Sequence, residues 1–256
     1  MLSKTQLSQN INNFKKQGDA FLKLVDAYIF NEVKTYEDEN AIILAIFQKN
    51  LNIFKTIHLL IDGTNVGAPI MILSRSILES MINFEYIQLG DINKNLNLFK
   101  DFEMAEAMQD IVYLRSKDVD ITALNPNAIE STYIKNRSYF ERKDGEIWRS
   151  WSHKSFEQML DDVIRERNFP QAIKDTVVST YIQSNRVAHL SPSQAKLYLL
   201  GENFVIKDLH DKSLGYISAL TSIIRITSFL SERFGIKELE KSLDKLFNNL
   251  DKDIIE

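Results

Sequence analysis

The segment Ile70–Leu89, IMILSRSILESMINFEYIQL, determines the fold class that we expect for this chain. Read as a helix, it is apolar almost all the way round, which is typical of a helix buried in the core of a larger assembly. Arg75, Glu79 and Asn83 nevertheless recur every four residues along one side, and we call these three residues the polar row. Because an unpaired buried charge is strongly unfavourable, the polar row predicts a polar partner elsewhere in the chain.

The expected partner is the later segment TYIQSNRVAHLSPS, which begins at position 180. Its histidine, His189, ends a predicted helix and follows Ser184, Asn185 and Arg186, so that donors, acceptors and a titratable base come together. Helical spacing places His189 on the side of Asn185, and Ser184 on the side of Tyr181. The alternative is a plain helix C-terminus, where a histidine is electrostatically favourable and Ser-Pro stops the helix.

The polar row itself permits two interpretations. Arg75 can hold an anion or a phosphate while Glu79 fixes the plane of its guanidinium. Alternatively, the two residues form an intrahelical ion pair whose role is to orient two helices. Because apolar residues fill a purely structural role as well or better, the anion site stands as a hypothesis beside the structural one.

The composition is that of an ordinary globular protein. The 256 residues are 44% apolar and 26% charged, with a formal net charge of −4 that gives no overall attraction for nucleic acid. The chain has no cysteine, so disulfides and thiolate metal sites are excluded. The first residues, MLSKTQLSQNINNFKKQ, lack the apolar core of a signal peptide, and no uncharged stretch is long enough to cross a bilayer. We expect a cytoplasmic protein with no membrane partner.

Helical periodicity runs through most of the chain, and it predicts an all-α protein built as a single multi-helix bundle. Two apolar runs around Gly201 and Glu202, in LYLLGENFVIKD, predict one short β-hairpin near residues 197–206. One helical domain is expected, with an N-terminal helix in residues 1–40, a core over 41–200 and C-terminal helices over 212–256. The predicted helices cover residues 4–31, 41–61, 67–89, 96–114, 127–142, 155–165, 171–189, 214–234 and 236–250.

An aromatic and basic segment follows the fifth predicted helix. In KDGEIWRSWSHKS, Trp148, Trp151 and His153 predict an ordered loop packed by its rings, although clustered tryptophans can also stack on bases. Basic residues interleave with these aromatics as in a nucleic-acid footprint, the alternative being a solvated helix face. The basic residues are Lys135, Arg137, Arg142, Lys143, Arg149 and Lys154.

Several site classes have no support in the sequence. There is no HExxH motif, carboxylate–histidine cluster, Gly-rich phosphate loop or GxSxG motif. Metal hydrolases, nucleotide-binding folds and α/β-hydrolases are therefore not indicated, and we expect neither a metal nor a cofactor. His58 and His210 stand alone in the sequence, and we expect His58 on a helix flank.

The two polar segments also carry a resemblance. A helix of the kind SRSILESMINFEYI, paired with a later helix end like YIQSNRVAHLSPS, resembles a family of uncharacterised bacterial proteins from about Ile42 to Leu199. That family more distantly resembles the HEPN superfamily of helical bundles, many of which are metal-independent ribonucleases. The resemblance implies an up-and-down helical core and a homodimer in which two motifs face each other.

The HEPN pattern is Arg-Asn-x-x-x-His. Here SNRVAH keeps Asn185 and His189 but has Ser184 in place of the arginine, so ribonuclease activity would require a guanidinium from Arg75 on the neighbouring helix.

Two functions are therefore expected from different classes. The first is a HEPN-like RNA-binding or metal-independent RNA-cleaving protein of stress response or phage defence, with a partner protein encoded nearby. In it, His189, Arg186 and Arg75 are catalytic, and Glu79, Asn83, Ser184, Asn185 and Tyr181 orient them. The second is a non-catalytic interaction module with a structural Arg-Glu-His network.

Overall fold

The structure, a computed structural model, describes residues 3–32, 38–189 and 202–255. Within these ranges the chain forms nine α-helices and one 3₁₀ turn (Thr122–Leu124), and the described residues contain no strand, so the predicted all-α class is confirmed. The helices are α1 (Lys4–Glu32), α2 (Asp38–Leu60), α3 (Gly67–Ile87), α4 (Ile92–Arg115), α5 (Pro126–Phe140), α6 (Phe156–Arg167), α7 (Gln171–Ala188), α8 (Glu202–Phe234) and α9 (Lys237–Ile255).

The second half of the predicted β-hairpin, residues 202–206, lies in the first turns of α8. Two ion pairs support this helix: Lys207 contacts Asp211, and Lys212 lies 3.4 Å from Asp208. Each pair is separated by four residues, a spacing that brings side chains together on a helix. The hairpin prediction was therefore wrong for these residues, and its first half lies outside the described residues.

The chain divides into two compact units, and the first comprises Met1–Phe84 and Arg167–Glu256. Helix α8 is its central element and contacts α1, α2, α7 and α9. The ring of Phe54 on α2 lies 5.5 Å from Phe21 on α1 and 5.8 Å from Tyr216 on α8. The apolar faces that predicted α1 and α2 are therefore buried against α8.

Helix α8 is long and apolar because it runs through the core of this unit. By length and composition alone, its stretch Phe204–Phe234 could cross a membrane, but 78% of the apolar window within it is buried inside the protein. Its buried hydroxyl groups include Thr227, which donates to the carbonyl oxygen of Ile223 at 2.6 Å. Both features are those of the core helix of a globular protein.

The second unit, Glu85–Glu166, contains the last turn of α3 together with α4, α5 and most of α6. Helices α4 and α5 pack together, with the rings of Phe102 and Phe140 5.5 Å apart and edge to face. The loop before α6 is anchored by Trp151, which is buried and lies edge to face with Tyr86 at 5.7 Å. One helical domain spanning the whole chain stays a prediction.

Candidate functional site

The polar row of α3 reaches α7 through Arg75. Nε of Arg75 donates a 2.7 Å hydrogen bond to Oε1 of Glu79, and Nη1 donates to Oδ1 of Asn185. The guanidinium also lies over the ring of Tyr181, with 5.5 Å between Cζ and the ring centroid. The two polar segments that we expected to be partners therefore meet at this residue.

The polar row is partly exposed, whereas we expected it to be buried. The side chains of Arg75 and Glu79 are 28% and 39% exposed, and Ile72 on the same side of α3 is 46% exposed. An exposed isoleucine and a buried isoleucine look the same in the sequence. The apolar pattern of α3 therefore did not indicate that this side of the helix is exposed. The buried residues of the other faces include Ile70, Met71, Ile77, Leu78, Met81 and Ile82.

Two of the predicted orienting residues bond to the backbone of their own helices. Asn83 donates from Nδ2 to the carbonyl oxygen of Glu79 at 2.9 Å. Ser184 is fully buried and donates from Oγ to the carbonyl oxygen of Tyr181 at 3.0 Å. Ser184 is thus part of the packed face of α7 and does not face solvent.

His189 and Arg186 lie at the exposed end of α7. His189 is the C-cap residue, and its backbone N–H donates to the carbonyl oxygen of Asn185 at 3.1 Å. Because this bond continues the helical pattern, His189 lies one turn beyond Asn185 on the same side. Among the described residues, neither the imidazole of His189 nor the guanidinium of Arg186 has a hydrogen-bond or ion-pair partner. Both side chains are exposed.

Helix α3 is held in place by α8, a contact that the sequence analysis missed. The backbone N–H of Gly67 donates to Oδ1 of Asp208 at 2.7 Å, and Nζ of Lys212 donates to the carbonyl oxygen of Gly63. A Cβ atom on Gly67 would lie 2.5 Å from the carbonyl oxygen of Asp208, so only glycine fits this approach. The charged sequence KDLHDK, residues 207–212, could have indicated this contact. It lies in the part of the chain where we expected a hairpin and a loop.

His58 is not isolated, which corrects the expectation from the sequence. Its Nδ1 lies 2.6 Å from the hydroxyl of Tyr216, and its Nε2 lies 3.0 Å from Oδ1 of Asp19. All three groups are satisfied when Tyr216 donates to Nδ1 and Nε2–H donates to the carboxylate. Burial, and then the charges of Asp19 and Asp62, raise the pKa of Tyr216 far above its ordinary value, so the phenol remains a donor.

Some of the basic residues of the aromatic segment form ion pairs with neighbouring carboxylates. Arg137 is paired with Glu141, Arg142 with Asp144 and Lys154 with Asp162. Lys154 and Arg165 hold the pKa of Asp162 below its ordinary range through their hydrogen bonds. Within the described ranges, the basic residues of the segment without an ion pair are Lys135, Lys143 and Arg149.

Of the predicted site residues on α3 and α7, the contacts of Arg75 bring together Glu79, Asn185 and Tyr181. Arg75, Arg186 and His189 offer hydrogen-bond donors, and Glu79 and Asn185 fix the orientation of the Arg75 guanidinium. Within the described residues, no group of three or more His, Asp or Glu side chains could hold a metal ion.

Comparison with known families gives a match over residues 40–204 to the family of unknown function DUF5677. The match covers more than half of the chain, and the chain therefore belongs to this family. The expected membership in an uncharacterised family, from about Ile42 to Leu199, is confirmed. Neither the curated proteins nor the solved structures give a match.

Proposed function

We propose that this protein binds RNA and cleaves it without a metal ion, at the surface formed by α3 and α7. One observation carries the proposal: the Arg75 guanidinium is fixed by Glu79 and Asn185 and remains partly exposed. Its other terminal nitrogen, Nη2, makes no hydrogen bond to a described residue. A fixed, solvent-reached guanidinium edge is suited to a phosphate diester.

His189 is the acid–base group in this proposal. Its imidazole takes the proton of the ribose 2′-hydroxyl, whose oxygen then attacks phosphorus while the bond to the 5′-oxygen breaks. The imidazolium returns the proton to the leaving oxygen, which gives a 2′,3′-cyclic phosphate and a 5′-hydroxyl. No metal is needed because the 2′-hydroxyl is an internal nucleophile and histidine titrates near neutral pH.

The guanidinium groups supply the charge that this reaction requires. Arg75 and Arg186 neutralise the phosphate as negative charge grows on its oxygens. Glu79, Asn185 and Tyr181 hold Arg75 in one orientation. The resemblance of SNRVAH to the HEPN pattern supports this assignment, and the proposed homodimer and defence role rest on that resemblance alone.

The test is cleavage of a panel of single-stranded RNAs, in EDTA and in magnesium. We expect cleavage in both conditions, and His189→Ala should slow it by about 100-fold or more, the usual effect of removing a general base. His210→Ala is the matched control because His210 is an exposed histidine on another helix. An intact RNA panel in both conditions would show that the catalytic proposal is wrong.

A second function, a non-catalytic interaction module, is favoured by a specific observation. Ile72 and Ile182 are 46% and 43% exposed, and each precedes a residue of the Arg75–Asn185 contact by three positions on its helix. Partly apolar surface around a satisfied ion pair is typical of a protein-binding surface. In this function the Arg75–Glu79–Asn185 contacts only join α3 to α7.

The double variant Arg75→Met with Glu79→Leu discriminates between the two functions. If the contacts are only architectural, the variant folds and keeps whatever RNA binding the natural protein has, because apolar side chains can replace a structural ion pair. If Arg75 binds phosphate, the variant folds and loses RNA binding. Thermal unfolding of the variant, measured beside RNA binding, separates loss of function from loss of fold.

A further inference from the structure

The loop between α5 and α6 holds a stack of rings that the proposed reaction does not use. Trp148 lies parallel to His153, with 4.8 Å between ring centroids and 15° between the planes. His153 in turn lies 4.4 Å from Tyr139, and Tyr139 lies 5.1 Å from the buried ring of Phe140. Trp148 is half-buried and forms the outer end of this stack.

We propose that Trp148 is a stacking platform for unpaired RNA bases, on the second unit and outside the residues of α3 and α7. The inference rests on the proposed function in one respect, namely that the ligand is RNA.

The backbone fixes Trp148 before any ligand binds. Its N–H donates to the carbonyl oxygen of Phe140 at 2.8 Å, and the N–H of Arg142 donates to the carbonyl oxygen of Glu146 at 2.7 Å. An antiparallel bridge between Glu141 and Ile147 lies between these two bonds. A preordered ring loses little conformational freedom on stacking, which favours binding.

His153 carries two unfavourable features. Its φ is +61°, in the left-handed region that non-glycine residues seldom adopt, and its Nε2 is buried without a hydrogen-bond partner among the described residues. Such features cluster at ligand-binding and active sites, where the surrounding structure holds them. The anchoring of the loop is already provided by the buried Trp151, so His153 serves to support the ring of Trp148.

The charges around the stack suit a phosphate backbone. Residues 135–154 contain six basic and three acidic side chains, although the whole chain has a formal charge of −4. Arg142 lies over Trp148, with 5.4 Å between Cζ and the ring centroid, and its pair with Asp144 is exposed. Exposed ion pairs are weak, so Arg142 can turn from Asp144 and from the ring of Trp148 to a phosphate while a base takes its place on the tryptophan.

Trp148 fluorescence tests the inference directly. The chain has two tryptophans, so Trp151→Phe leaves Trp148 as the only one. We expect single-stranded oligoadenylate of about twelve nucleotides, within the usual site sizes for such proteins, to quench its emission. Inorganic polyphosphate, which has the charge without the bases, should not quench. Equal quenching by both, or by neither, would overturn the inference.

Affinity measurements on variants provide the second test. Trp148→Ala should weaken oligoadenylate binding by about tenfold or more, and Trp148→Phe, which keeps a ring, should restore most of it. Tyr113→Ala is the matched control because Tyr113 is 62% exposed in the same unit and outside the stack. Rescue by phenylalanine excludes misfolding as the cause of weak binding.

The outcomes separate this inference from the proposed function. Oligoadenylate binding that is unchanged in Trp148→Ala overturns the stacking platform and leaves cleavage by His189 intact. Quenching of Trp148 in a protein that cleaves no RNA supports the platform and overturns the catalytic proposal.

Discussion

The carboxylate of Asp208 accepts a 2.7 Å hydrogen bond from the backbone N–H of Gly67, across 141 residues of chain. This N–H is one of the donors that a helix leaves unsatisfied at its start, so α8 caps the helix that carries Arg75. Lys212 completes the contact through the carbonyl oxygen of Gly63 and through Asp208 itself. The placement of the polar row therefore depends on α8.

Asp208→Ala should lower the free energy of unfolding by about 2 kcal/mol, since it removes both a helix cap and the partner of a nearly buried lysine. Urea unfolding measures the loss. Asp244→Ala is the control, because Asp244 is exposed on α9, and it should change stability by less than about 0.5 kcal/mol. Equal losses in the two variants would contradict the capping role.

Gly18→Ala should destabilise the protein, although alanine is usually the better residue in a helix. A Cβ atom at Gly18 would collide with the hydroxyl of Tyr216. In the Tyr216→Phe background the hydroxyl is gone, and the cost of Gly18→Ala should fall by about 1 kcal/mol or more. A double-mutant cycle in urea measures this coupling, and additive costs would show that the hydroxyl is not the obstacle.

Alkaline pH should weaken the contribution of Tyr216 to stability. Burial raises the pKa of this phenol in the folded protein, whereas in the unfolded chain it titrates near its ordinary value of about 10. Above that pH the unfolded state loses the proton first, so stability falls as pH rises, by up to about 1.4 kcal/mol per pH unit for this group.

Tyr216→Phe isolates this effect. The difference in unfolding free energy between the natural protein and the variant should be constant from pH 7 to about pH 9 and should narrow above about pH 10. The other tyrosines titrate in both proteins, so their contributions to the free energy of unfolding cancel in the difference. A difference that stays constant to higher pH would mean that the pKa of Tyr216 is not raised by folding.

The two tryptophans should respond differently to alanine substitution. Trp151 is buried against Tyr86 and Phe99, and Trp151→Ala should cost about 3–5 kcal/mol of unfolding free energy. Trp148 is half-buried at the outer end of its stack, so Trp148→Ala should cost distinctly less. Urea unfolding followed by far-UV circular dichroism compares them. Similar losses would make Trp148 a packing residue like Trp151.

Local periodicity was a sound guide wherever an apolar face was continuous. The predicted first helix, residues 4–31, and α1 differ by one residue at the end, because a helical repeat of buried residues is written directly in the sequence. The start of α8 was misplaced by twelve residues, from 214 to 202. Its first turns contain Asp208 and Lys212, which bond to the backbone of Gly67 and Gly63. Because these partners are distant in the chain, they leave no local sequence pattern that predicts the helix.

The sequence by itself determined the helical class, the membership in an uncharacterised family and the alignment of Arg75, Glu79 and Asn83 along one side of α3. The class and the alignment follow from residue spacing, since the 3.6-residue repeat fixes which side chains share a face. Only the tertiary structure decided that Arg75 is partly exposed, that Asp208 caps α3 and that His58 bonds to Tyr216. Each of these depends on which distant segment packs against a helix, and packing sets exposure and partners independently of the local repeat.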